Sequence, residues 1–160
     1  MTNHPVTGFA ERSQAEIDNL YERDFFAWTQ EQARLLRALR PAGIDWENAA
    51  EEIESLGRSD KRTIESNLAV ILLHLLKWQF QEQARKPGWM SSVAEHRRRI
   101  AKLVAESPSL RRYPAVVLGE EYELARLKAA DETGLPLETF PEECPYAIGD
   151  VLDPAFVPKA

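Results

Sequence analysis

The sequence predicts an all-α protein: a single bundle of four to five helices with a Pro-rich C-terminal tail wrapped on it. Three observations carry this. The apolar residues recur at i, i+3 and i+4, and no segment alternates with period two. Capping residues, Gly and Pro fall at helix-length intervals. Half of the ten prolines lie in residues 134–160, where the helical period stops.

From Ser13 to Arg40, Ile17, Leu20, Tyr21, Phe25, Trp28, Leu35, Leu36 and Leu39 form one apolar stripe. Ser13 caps it with Glu16 three residues on, and Pro41 and Gly43 end it. Asp45 caps a second helix whose stripe is Ala49, Ile53 and Leu56. Gly57 breaks it, and Ser59 or Asp60 caps a third helix running to about Ala84. One long bent helix from Asp45 to Ala84 is the alternative, because a lone Gly is a weak breaker. Pro87-Gly88 stops the chain firmly. A fourth helix, about Trp89 to Glu106, turns Val93, Ile100, Leu103 and Val104 inward and most of its arginines outward. A fifth runs from about Ser109 to Thr133, with Pro114 near its start and Gly134 as its C-terminal cap. In the tail, one helical turn is predicted near Ile148 to Leu152, with Phe140, Tyr146 and Phe156 against the bundle.

Residues 1–160 read as one domain, with a flexible N-terminus over 1–12 and the extended tail over 134–160. A hydrophobic content of 44% with 29% charged residues is that of a globular protein rather than a disordered one. No apolar run reaches the roughly 18–20 residues a membrane-spanning helix needs, and the N-terminus lacks a signal-peptide pattern. The cytoplasm of a bacterium-like cell is the default address. The single Cys144 excludes an internal disulfide framework and a multi-cysteine metal site.

The net charge of −6 is unevenly spread. Residues 1–84 carry −5, residues 85–112 carry +6, and residues 113–160 carry −7. The basic island reads first as internal complementarity with acidic neighbours, and second as an anion or nucleic-acid surface through Arg97, Arg98, Arg99, Lys102, Arg111 and Arg112.

No Gly-rich phosphate loop, nucleophile elbow, zinc helix or Cys-x-x-Cys pair occurs. The polar residues that stand out are Asp24, Trp28 and Gln32 on one ribbon of the first helix, Glu51, Glu52 and Glu54 on the second, and His74 and Lys77 inside the very apolar run 66–81. With helices two and three as a hairpin, antiparallel counting levels Glu51 with Glu65, Gln32 with Glu54, His74 with Arg98 and Lys77 with Glu95. One long helix in place of that hairpin would undo these level assignments and the clusters built on them. Glu-x-x-Leu and Glu-x-x-Ser stand where a ferritin-like bundle would carry Glu-x-x-His, so neither a metal nor another cofactor is expected.

The stretches YERDFFAWTQEQARLLR (21–37), ENAAEEIESLGRSDKR (47–62), ESNLAVILLHLLKWQFQ (65–81), SPSL (107–110) and ETFPEECPYAIGDVLDPAF (138–156) together resemble one family over about residues 18–158. It is the family of small bacterial, often cyanobacterial, proteins known as domain of unknown function number twenty-nine. The resemblance implies an all-helical domain with no established activity. It nominates Asp24, Trp28, Glu52, Glu54, His74, Lys77, Trp89 and the SPSL turn as site positions.

Three functions are weighed. The first is a non-enzymatic protein-interaction module, with a protein partner or a homo-oligomer and with Asp24, Trp28, Gln32, Trp89, Arg97, Arg98 and Arg99 as binding residues. The second is a hydrolase or nuclease-like enzyme using Glu52, Glu54, His74 and Lys77 in a bundle cavity. The third is nucleic-acid binding through the basic fourth helix.

Overall fold

The structure is a computed structural model that describes residues 14–40 and 45–159. Its elements are all helical: α1 (Gln14–Arg23), α2 (Phe25–Leu39), α3 (Trp46–Phe80), α4 (Pro87–Glu106), α5 (Tyr113–Thr133) and the short α6 (Ile148–Leu152). Three 3-10 turns, Glu82–Ala84, Pro108–Leu110 and Leu137–Thr139, sit between them. The Ser13 cap, the flexible N-terminus over 1–12 and the Pro41–Gly43 stop fall outside the described residues.

The 35-residue α3 organises everything else. Asp45 caps it by accepting from the Asn48 amide at 3.3 Å. The second and third predicted helices are one helix, so the hairpin between them does not exist and the level pairing of Glu51 with Glu65 fails. Gly57 does not break α3. It marks the point where α2 crosses, since a Cβ there would lie 2.7 Å from Thr29 Oγ1 and 2.9 Å from the Phe26 ring. The missing side chain reads in sequence as a break, but what it provides in the fold is close approach.

The first predicted helix is, conversely, two. The backbone leaves helical geometry at Asp24 (φ −157°, ψ 89°), whose carboxylate caps α2 by accepting from the Ala27 amide at 2.9 Å. Part of the predicted stripe consequently misses the core, with Tyr21 and Leu39 exposed.

Contacts fix the directions of the helices around α3. Thr29 meets Gly57 while Arg37 meets Glu47, so α2 runs antiparallel to the first half of α3. Lys77 meets Trp89 and Asn67 meets His96, so α4 is antiparallel to the second half. The α3–α4 turn is centred near residue 83 rather than at Pro87, which moves Lys77 away from Glu95 and His74 away from Arg98. Tyr113 meets Glu65 and Glu132 meets Lys77, so α5 runs parallel to α3.

The main core lies between α3, α4, α5 and the tail, built from Leu68, Ile71, Leu72, Leu75, Leu76, Val93, Ile100, Tyr122, Ala125, Phe140 and Val151. Gly134 ends α5 in left-handed geometry at φ 70°. Beyond it the chain returns along the bundle, with Phe140 and Tyr146 buried and the predicted turn at Ile148–Leu152 in place.

Candidate functional site

The sequence nominates Glu52, Glu54, His74 and Lys77 as one catalytic group, and the fold separates them. Glu54 and His74 are twenty residues apart on one continuous helix, which at 1.5 Å per residue is about 30 Å. Glu52 is exposed. Glu54 accepts from Arg37 at 2.5 and 3.1 Å, with Arg58 3.7 Å away. The Arg37 hydrogen bond holds the Glu54 carboxyl below the usual carboxylate range. Glu54 thus joins α3 to α2, far along the helix from the histidine.

Asp24 and the SPSL turn do meet, across 85 residues of chain. Besides capping α2, Asp24 accepts from the Ser109 amide at 2.6 Å and its hydroxyl at 2.8 Å. Ser107, buried beside them, accepts from the Phe26 amide at 3.1 Å. The pair clasps the break between α1 and α2 onto the α4–α5 connection, satisfying amides that a helix start leaves open. Trp28 packs edge-on against Tyr21 at 4.9 Å. The buried Nε2 of Gln32 has no partner among the described residues.

A second cluster joins α3, α4 and α5. Lys77, buried to its tip, donates to Glu132 at 2.6 Å and lies 4.7 Å from the centre of the Trp89 ring. One turn earlier, His74 is half-buried, and its Nδ1 has no partner among the described residues. Burial, and then the Lys77 charge, push its imidazole pKa down, so it is neutral at pH 7. Asn67 donates to the Thr63 carbonyl at 2.6 Å, which turns its amide oxygen toward His96 Nδ1, also 2.6 Å away. His96 therefore carries its proton on Nδ1. The cluster is a set of satisfied or neutral groups beside one ion pair. Among the described residues no group of three or more His, Cys, Asp or Glu is placed to hold a metal ion.

The basic island requires a correction. Arg97 is only 5% exposed and faces inward. Its guanidinium donates to the carbonyls of Val151 at 2.8 Å, Phe156 at 3.1 Å and Asp150 at 3.4 Å, pinning the tail to α4. The signal was present in the sequence: Arg97 falls at i+4 on the stripe of Val93, Ile100 and Val104. Arg99 pairs with Glu95 at 2.5 Å and Lys102 approaches Glu106 at 3.8 Å, both within α4. Arg98 is exposed. Two of the island's cations thus pair within α4 and Arg97 is held by tail carbonyls, so the row of three outward arginines is reduced to two.

The site that the sequence did not indicate is a groove between α3 and α5. Ser66, Ala69, Val70 and Leu73 form one wall, and Glu121, Leu124 and Lys128 the other, around about 250 Å³. The α5 helix buries Val117, Tyr122, Ala125 and Ala129, yet exposes Val116 (74%), Leu124 (45%) and Leu127 (57%). It is apolar on both faces, so no stripe stands out in its sequence.

The family model described as "Domain of unknown function DUF29" matches residues 20–157. The chain belongs to the DUF29 family. A solved structure, that of an alpha-helical protein of unknown function from Rhodospirillum rubrum, is 27% identical and superimposes with a TM-score of 0.66. The match covers 85% of this chain and 90% of that one. No curated protein matches. The DUF29 positions nominated by resemblance divide in the structure: Asp24 and the SPSL turn form the clasp, Lys77 and Trp89 join α3 to α4 and α5, and Glu54 ties α3 to α2. No helix among the described residues is long and apolar enough to cross a membrane.

Proposed function

We propose that this DUF29 domain is a protein-interaction module whose binding face is the α3–α5 groove and the outer side of α5. The supporting observation is where the uncommitted surface lies. Asp24, Lys77, Trp89 and Arg97 make contacts within the fold, whereas Leu124 stands exposed at the apolar groove and Val116 and Leu127 are exposed on the same helix. Burying such side chains yields about 25 cal/mol per Å², a driving force that contributes nothing to the isolated fold. An acid–base enzyme built from Glu52, Glu54, His74 and Lys77 has no common cavity to work in.

The test compares immobilised wild type with Leu124→Glu, a substitution at an exposed position, in extract of the native host. A polypeptide retained at fixed stoichiometry by wild type and lost with Leu124→Glu is the expected result, with circular dichroism confirming that the variant folds. A polypeptide captured equally by both, or retained by neither when the chain also fails to associate with itself, overturns the assignment.

A further inference from the structure

Resting on the interaction reading, we infer that the occupant of this face is a second copy of the same chain, paired antiparallel along α5 about Leu124. The argument is one of charge order and helical register. Val116, Glu120, Leu124 and Leu127 step at i, i+4, i+8 and i+11, so they share one face of α5. Glu120 and Glu121 lie three to four residues before Leu124, and Lys128 lies four after it. Along the helix axis these offsets are about 4.5–6 Å on either side.

A two-fold axis through Leu124 sets that side chain against the partner's Leu124. Lys128 then comes level with the partner's Glu120, and Glu120 with the partner's Lys128, so one contact is made twice with opposite charges matched both times. This is the condition an isologous interface must meet: the surface must be complementary to itself. A parallel pairing fails it, because Glu120 would face the partner's Glu120 and Lys128 the partner's Lys128.

The groove flank adds to the match. Glu121 lines the groove on the same flank of α5 as Lys128, so the partner's Lys128, level with Glu120, also comes beside Glu121. Within one chain Glu121 is crowded by burial and by the negative charges of Glu65 and Glu120, and these raise its pKa. Lys128 is the cation that offsets them, and a second copy supplies another. The neighbouring cation on α5, Arg126, is already committed to the Phe140 and Leu137 carbonyls.

Sedimentation velocity of the purified full chain over a wide concentration range tests this. Wild type should sediment at twice the chain mass at high concentration. Lys128→Glu should raise the dissociation constant at least about tenfold, or 1.4 kcal/mol. Adding Glu120→Lys and Glu121→Lys to Lys128→Glu should restore association, and Leu124→Glu should leave only monomer. Far-UV circular dichroism establishes that each variant is folded, and Lys128, exposed at the surface, gives the test a variant that does not touch the core. A wild type monomeric at every concentration overturns the self-pairing, as does a dimer indifferent to both Lys128→Glu and Leu124→Glu. A monomer that still captures a host polypeptide through Leu124 overturns only this inference. A monomer that captures nothing overturns the interaction reading as well.

Discussion

The two halves of α3 are one helix in two different environments. From Trp46 to Asp60 it meets α2, and in that stretch Ala50 and Gly57 are buried. The join is made largely by Arg37 with Glu47, Glu51 and Glu54, while Arg58 pairs with Glu51 and Glu54 within α3 itself. From Ile64 to Lys77 the same helix sits among α4, α5 and the tail, and Leu68, Ile71, Leu72, Leu75 and Leu76 are fully enclosed. Helix continuity is therefore not a sign of uniform support. The second half is held by removing apolar surface from water, the first by charge pairing and by backbone proximity at a glycine.

The largest expected effect lies in the second half. Leu72→Ala removes a fully buried side chain from the centre of the core and should cost about 2–5 kcal/mol, read from denaturant unfolding. A cost below about 1 kcal/mol would mean that this half does not depend on close packing and would dissolve the contrast. In the first half, Gly57→Ala should cost about 1–3 kcal/mol, unusually for a change that favours helix. The added Cβ must displace the Thr29 hydroxyl and the Phe26 ring, and that hydroxyl already donates to the Phe26 carbonyl at 2.7 Å. A stabilised Gly57→Ala would show that α2 can move away freely.

How much of this was legible follows the same division. Apolar spacing identified the helices, the tail turn at Ile148–Leu152 and the aromatic contacts of Phe140 and Tyr146, because deep burial imposes a period on the sequence. It did not distinguish a glycine at a crossing from a glycine at a helix end, since both are the absence of a side chain. Asp24 looked like one more polar position on a helix face, because its partners Ser107 and Ser109 lie more than eighty residues away. Arg97 reads as an outward charge although its spacing matches the inward stripe; the carbonyls that satisfy it belong to a tail without periodicity. The outer face of α5 was hidden by apolar residues all round that helix, where amphipathicity cannot mark which side is in solvent.

His74 sharpens the contrast from within the apolar half. Its buried Nδ1 lacks a partner among the described residues, so His74→Leu should stabilise by about 1 kcal/mol near pH 7.5. The pH dependence follows from the direction of its shift. The folded pKa is depressed, so below about 6.5 the unfolded chain takes up a proton that the folded chain resists. Wild type loses stability as the pH falls through this window, and the leucine variant is spared that part of the loss. The midpoint gap between them should widen from pH 7.5 to 5.5. A narrowing gap would show that the protonated imidazole is favoured in the fold.

The smallest effect tests the charged half. Glu54→Gln keeps the shape and one acceptor oxygen but removes the charge that faces Arg37 and Arg58. Both partners are solvent-accessible, and Glu47 and Glu51 remain to accompany Arg37, so the loss should be smaller than the change at His74. Its signature is salt dependence. At about 1 M salt the screening length falls to about 3 Å, and thermal melts of wild type and Glu54→Gln should converge. The Leu72→Ala deficit should persist at the same salt, because an apolar cavity has no charge to screen. If both deficits persisted, the Arg37–Glu54 contact would be acting through shape and hydrogen bonding, and the two halves of α3 would be held by more similar means than their side chains suggest.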